Sequence, residues 1–128
     1  RHASSSRDCN DTPMQGGFVL SDWMVTTAQW FIDHGFYDAG YRYMNADDCV
    51  VVGRNASGFL IEDPLAFPYG VANTAARLQA LGFQMGFYTD RGNLTCSCYA
   101  GGQKRPGSYG YEAKDAAWYA ANGITYIK

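Results

Sequence analysis

Carboxylate, phenol and amine side chains stand where predicted strands of this 128-residue chain end. The carboxylates Asp47 and Asp48 follow one strand. Tyr88 and Asp90 close the next strand, and Lys128 closes the last one. Clustered carboxylates suit sugar binding, and they also suit glycoside hydrolysis, in which one carboxyl group is the acid and a second is the base or nucleophile. Since the C-terminal strand ends form the active-site rim of parallel α/β folds, the sequence predicts a carbohydrate site there.

Each of these side chains has a structural alternative. Either Asp47 or Asp48 could cap the turn that follows the strand, and Lys128 could be a solvated strand-end lysine. Consecutive residues of a regular strand point to opposite faces, so both carboxylates reach the rim only if the backbone turns. Aromatic rings stack on the apolar face of a sugar. Tyr88 and Trp23 are candidates by residue type, although the helical spacing of Trp23 favours a place in the core.

Cysteine chemistry is the rival interpretation. The chain has four cysteines: Cys9, Cys49, Cys96 and Cys98. Cys96-Ser-Cys98 could form a redox or metal pair, but neither histidine stands at a ligand spacing from it. We therefore expect no metal or cofactor, and a structural disulfide for at least one of these cysteines.

Glycosylation sequons begin at Asn10, Asn55 and Asn93, and Pro13 weakens the first. Sequons with several cysteines predict a secreted protein, extracellular or in a lysosome-like or vacuole-like lumen. The alternative is a reduced cytosolic protein with incidental sequons. Residues 1–11 begin with a Ser-rich stretch and are expected to be a flexible leader, as in a chain after signal removal.

The composition excludes several classes of protein. The chain has 10 Lys plus Arg against 12 Asp plus Glu, so no basic stripe is present for a nucleic acid. No apolar run approaches ~18 residues, so no membrane span is expected. With 47% apolar and 16% aromatic residues, the chain is not disordered.

A repeated unit of helix, glycine and strand organises the chain. The predicted helices cover 22–33, 71–81 and 111–121, and the strands that follow them cover 41–45, 83–88 and 124–128. A weaker strand is predicted over 13–20. Ser21 is the expected N-cap of the first helix, whose apolar positions are Trp23, Ala28, Phe31 and Ile32. Strands alternating with helices imply a parallel sheet with right-handed crossovers.

Two α/β folds fit this order. One is a (β/α)8 TIM barrel of which this chain holds about the first four units. The other is a small flavodoxin-like domain, which needs a phosphate-binding loop after its first strand. The segment Met14–Phe18 contains glycines, but no Ser/Thr cluster of that kind follows it.

Several blocks resemble the α-galactosidase and α-N-acetylgalactosaminidase family, in unbroken order from Thr12 to Lys128. They are Asp38–Cys49, Asn55–Gly70, Leu81–Asp90, Gly92–Cys96, Pro106–Gly110, Asp115 and Gly123–Lys128. The resemblance implies a retaining glycosidase on a (β/α)8 barrel, with residues 12–128 as the N-terminal half of its catalytic domain. Its substrate would be a terminal α-linked galactose or N-acetylgalactosamine of an oligosaccharide or glycoconjugate.

The resemblance also implies roles for single residues. Asp47 and Asp48 match the family's paired aspartates, which hold sugar hydroxyls. Tyr88 and Lys128 match residues that contact the sugar. Cys96 matches a disulfide cysteine close to the sugar. In addition, Asn93 matches a family glycosylation site, and Cys9 is the one early candidate to pair with Cys49.

The departures from the family pattern define two hypotheses. The family nucleophile comes two positions after the lysine matched by Lys128, and the acid/base lies further on. The tryptophan-containing motif of the first strand is replaced by Met14–Phe18. The chain is therefore either part of a glycosidase or a non-catalytic relative that serves as a structural or glycan-binding subunit of a secreted assembly. In both cases we expect the chain alone to be inactive and unstable as a monomer. Its open sheet edges would need the C-terminal half of the barrel or another chain.

Overall fold

A computed structural model describes residues 19–96 and 104–128. The elements are α1 (Leu20–Asp33), β1 (Tyr43–Asn45), β2 (Val51–Arg54), β3 (Leu60–Glu62), α2 (Val71–Ala80), β4 (Gln84–Phe87), α3 (Glu112–Ala121) and β5 (Ile124–Ile127). Residues 1–18, which include the expected leader and most of the weak predicted strand over 13–20, lie outside the described part. Leu20, the last residue of that predicted strand, begins α1 instead.

The main sheet is parallel, as the sequence predicts. Its strand order is β1-β4-β5, and both strand pairs are parallel. Helices α2 and α3 carry the chain back between these strands. Gly82 lies just after α2 at a φ of 87°, a left-handed conformation that glycine adopts without strain. The carboxyl ends of all three strands therefore lie at one edge of the sheet, where the sequence places the polar residues.

The core lies between this sheet and its helices. Met85 and Phe87 of β4 are fully buried, as are Val71 and Leu78 of α2. Burying a side chain of this size stabilises the fold by about 1.5–3 kcal/mol. The other sheet face is more exposed. There a Cβ on Gly86 would collide with the side chain of Asn45.

Two expectations for α1 are wrong. Val19, not Ser21, is the N-cap residue, and Ser21 is buried in the first turn with no partner for its hydroxyl among the described residues. The buried face is Ser21, Met24 and Ala28. Trp23 is 46% exposed, so it does not pack in the core. The chain buries small and flexible side chains here and leaves the large ring outside.

The sequence reasoning missed an antiparallel hairpin formed by β2 and β3. The turn between the strands is closed by hydrogen bonds from Asn55 N to Phe59 O and from Gly58 N to Asn55 O, both 2.9 Å. The signal was present in the sequence: a valine-rich run, an Asn and Gly turn, and a second apolar run.

A buried ion pair fastens this hairpin to α3. The Arg54 guanidinium binds both carboxylate oxygens of Asp115, at 2.6 and 2.8 Å. The two side chains are 13% and 2% exposed. Arg54 also donates to the carbonyl oxygens of Gly58 and Gly107, each at 2.9 Å, and lies 4.0 Å from the Tyr111 ring centroid. One arginine thus joins the hairpin, the loop before α3, and α3 itself.

Candidate functional site

The backbone turns sharply after β1, and this turn places two consecutive carboxylates on the rim. Cys49 has a φ of 68°, the one positive φ of a non-glycine residue in the described ranges. Asp47 Oδ1 accepts the Asp48 N–H at 2.9 Å, and Asp48 Oδ1 accepts the Cys49 N–H at 2.7 Å. One oxygen of each carboxylate is therefore held by the backbone, and the other is directed towards neighbouring side chains. A regular strand would have separated the two side chains.

Asp47 contacts Lys128 across the sheet. Asp47 Oδ2 accepts a hydrogen bond from Lys128 Nζ at 2.7 Å, joining the carboxyl ends of β1 and β5. This hydrogen bond and the charge of Asp47 raise the pKa of Lys128, which therefore stays protonated at neutral pH. The side chain of Lys128 is 57% exposed, and that of Asp47 is 69% exposed. Exposed ion pairs stabilise little, so hydroxyl groups of a ligand can compete for both partners.

Tyr88, Cys96 and Asp48 form the second half of the site. The Tyr88 hydroxyl donates to Cys96 Sγ at 3.4 Å, and Cys96 Sγ lies 3.8 Å from Asp48 Oδ2. The bond to Cys96, followed by burial, raises the pKa of Tyr88, so its phenol stays protonated. Lys128 Nζ lies 5.3 Å from the Tyr88 ring centroid and so connects the two halves. We call Asp47, Asp48, Tyr88, Cys96 and Lys128 the rim cluster.

Two other residues that the sequence suggested for the sugar site, Asp90 and Trp23, lie outside the rim cluster. Asp90 lies at the same end of β4, but its carboxylate accepts the Gly92 N–H and so caps the loop. Asp90 also lines a surface cleft of about 530 Å³ with Arg91, Tyr109 and Glu112. Trp23 stands exposed on α1 and is not one of the residues that form the rim cluster.

The cysteines divide between bonded and free. Cys49 is disulfide-bonded, and Cys96 is an exposed free thiol. Cys9 and Cys98 lie outside the described residues, so the expected Cys9–Cys49 pairing and the Cys96–Cys98 redox alternative stay predictions. Within residues 19–96 and 104–128, no group of three or more His, Cys, Asp or Glu side chains could hold a metal. No helix in these ranges is long and apolar enough to span a membrane.

A comparison with known sequences decides the family. The sequence profile described as Alpha galactosidase A matches residues 2–128 of this chain. The chain belongs to this family. The resemblance noted in the sequence blocks is thereby confirmed.

Individual members of the α-galactosidase family agree. An α-galactosidase from Saccharomyces paradoxus is 39% identical over 110 residues, which are 86% of this chain and 22% of that protein. The structure of the Saccharomyces cerevisiae α-galactosidase with raffinose is 37% identical, with a TM-score of 0.76 over 85% of this chain and 23% of the other. α-Galactosidase I from Mortierella vinacea is 34% identical, with a TM-score of 0.76 over 85% and 26%. The chain thus spans about a quarter of the length of these relatives.

This α-galactosidase family chain positions its rim cluster with residues that the sequence reasoning missed. An isolated bridge between Leu94 and Pro106, with a 3.0 Å bond from Thr95 N to Arg105 O, fixes the segment that carries Cys96. Arg105 and Asp63 are 3% and 5% exposed, and their charged groups lie 3.7 Å apart. No sequence pattern marked these two residues, because ion pairs between distant segments leave no local periodicity.

Proposed function

We propose that the rim cluster binds the terminal galactosyl residue of an α-galactoside, in the active site of a retaining α-galactosidase. One observation carries this proposal. The five side chains that the family resemblance assigns to the sugar form one continuous set of contacts, although Asp47 and Lys128 stand 81 positions apart. Family membership supplies the substrate class, and the contacts supply the geometry.

The chemistry of the rim cluster suits a sugar with adjacent hydroxyl groups. Asp47 and Asp48 each keep one oxygen on the backbone and direct the other towards the site. Lys128 and Tyr88 stay protonated and can donate to sugar oxygens. Hydrogen bonds with a charged partner are roughly twice as strong as neutral ones. Two carboxylate acceptors beside an ammonium donor can therefore fix the orientation of the ring.

The proposed reaction is a double displacement. One carboxylate attacks the anomeric carbon, and a second carboxyl group protonates the leaving oxygen and then activates water. The resemblance assigns neither role to a residue of this chain, so we assign binding, and not covalent chemistry, to the rim cluster. We accordingly propose that the 128-residue chain alone hydrolyses no α-galactoside.

The same proposal covers the surroundings of the site. The parallel sheet would be part of a (β/α)8 barrel, and the exposed face that carries Tyr43 and Tyr126 would turn to the barrel interior. The remaining units, on the same or another chain, would cover the sheet edges. Cys49 would pair with Cys9, and the protein would be secreted or lumenal.

The test uses the natural full-length protein and release of p-nitrophenol from p-nitrophenyl α-galactoside. We expect hydrolysis, competitive inhibition by free galactose, and no activity on the matched α-glucoside. The N-acetylgalactosaminide measured in parallel decides between the two sugars. A full-length protein that binds galactose without hydrolysing any substrate would favour the non-catalytic glycan-binding subunit. Failure to bind either sugar would refute the proposed site.

A further inference from the structure

The turn of the β2–β3 hairpin carries a glycosylation sequon, Asn55-Ala-Ser57, in a specific geometry. Asn55 Oδ1 accepts two backbone N–H groups, from Ser57 and from Phe59, both at 3.0 Å. Because backbone N–H groups only donate, they must face the carbonyl oxygen of the amide and not its NH2 group. The Nδ2 atom of Asn55 is therefore the atom turned away from these two bonds. Asn55, Ala56 and Ser57 are all exposed.

We propose that Asn55 carries an N-linked glycan. In this transfer Asn55 Nδ2 forms a bond to C1 of an N-acetylglucosamine and loses one proton. The bond that breaks joins C1 to an oxygen of a lipid diphosphate, which leaves with the bonding electron pair. The co-reactant is a lipid-diphosphate-linked oligosaccharide. The inference rests on the proposed passage of the protein through the secretory pathway, where this donor is found.

The second sequon of the described residues, Asn93-Leu-Thr95, also has an exposed asparagine but differs at its hydroxyl residue. Thr95 is 2% exposed, and its N–H donates to Arg105 O at 3.0 Å. Leu94, between them, lies in the bridge to Pro106. The hydroxyl residue is an obligatory part of the sequon, and folding hides it here. We therefore expect a transferase to reach Asn55 in the folded protein, and to need access to Asn93 before folding buries Thr95.

The hairpin turn can also accommodate a bulky modification. N-linked glycans occupy surface positions, and here all three sequon residues stand at the surface. Phe59, whose carbonyl oxygen accepts the Asn55 N–H, is 38% exposed.

The first experiment produces the natural full-length protein in a eukaryotic secretory host. Peptide N-glycosidase in heavy-oxygen water converts each glycosylated Asn to a mass-labelled Asp, and peptide mass spectrometry reports the occupancy. We expect label at Asn55 and its loss in Ser57→Ala. This variant is well matched, because the acceptor bonds of Asn55 involve only backbone N–H groups. Unlabelled Asn55 in a secreted protein would overturn the proposal.

The second experiment separates the site from the localisation. Folded, unglycosylated full-length protein is incubated with purified oligosaccharyltransferase and its lipid-linked donor. We expect modification of Asn55, none of Asn93, and modification of both after denaturation. Modification of Asn55 here supports the site even if the cell retains the protein in the cytosol, a result that would contradict the proposed localisation instead. Modification of Asn93 and not Asn55 in the folded protein would refute the geometric argument.

Discussion

Loss of either partner of the buried Arg54–Asp115 ion pair should destabilise the fold strongly. Removal of one partner leaves the other charge buried without compensation, which costs about 3–5 kcal/mol. We expect Arg54→Met and Asp115→Leu each to lower the free energy of unfolding by this amount. Arg54→Met should cost the more, since Arg54 also donates to Gly58 O and Gly107 O. Each of these carbonyl oxygens, once left buried without its donor, adds about 1–3 kcal/mol to the loss.

The double variant is the decisive measurement. Replacing both charges with apolar groups removes the uncompensated charge, so the double variant should lose less free energy of unfolding than Arg54→Met alone. Urea unfolding of the full-length protein measures this, with the fluorescence of half-buried Trp118 on α3 as a local reporter. Losses that add to within about 0.5 kcal/mol would show that the two groups are not coupled and would refute the reasoning.

The pH dependence of this coupling follows from the arginine. Its hydrogen bond with Asp115, before any other cause, raises the pKa of Arg54 above its ordinary value. A raised pKa means that the stabilisation is complete below the unfolded-state value and is lost only above the folded-state value. The coupling should therefore not fall as the pH is raised from 6 to 9.

Three further predictions concern the rim and the sheet. Asp47→Asn should lower kcat/KM for the aryl α-galactoside by about 10- to 150-fold, since a hydrogen bond to a charged group contributes ~1.5–3 kcal/mol. The control is Asp22→Asn, which breaks an exposed ion pair with Arg77 and should leave kcat/KM unchanged. Galactose affinity of the full-length protein, measured by calorimetry, should be flat from pH 6 to 9, because raised pKa values keep Lys128 and Tyr88 protonated; a fall towards pH 9 would contradict this. Gly86→Ala should lower the melting temperature and weaken galactose binding, because its Cβ would collide with side chains of both neighbouring strands, and an unchanged melting curve would show that the sheet yields at no cost.

The local pattern of the sequence was enough to predict the alternating elements. The predicted helix over 71–81 is Val71–Ala80 in the structure, and the predicted strand over 124–128 is Ile124–Ile127. Both are marked by the spacing of apolar residues and by a glycine after the helix. The prediction for Trp23 is wrong because the spacing of apolar residues indicates a helix but does not show which of two adjacent rows of side chains is buried. In α1 the buried row is Ser21, Met24 and Ala28.

The site residues could be predicted from the sequence for a different reason. Polar residues at strand ends and a family resemblance named Asp47, Asp48, Tyr88, Cys96 and Lys128, and the structure places all five in contact. Their role in sugar binding stays a prediction. The Arg54–Asp115 pair, in contrast, joins two residues that are 61 positions apart. Local spacing contains no information about such contacts.

The separation along the chain of Asp47 and Lys128 has a consequence for biosynthesis. The two residues are 81 positions apart, and Asp48 and Cys96 are 48 apart. Such contacts form late, because the entropy of closing a long loop opposes them. During translation, which adds about 5–20 residues per second, the aspartates leave the ribosome several seconds before their lysine. A galactose-like ligand that needs both Asp47 and Lys128 would therefore bind the complete sheet and not the nascent one. The onset of its binding would report when the sheet is complete.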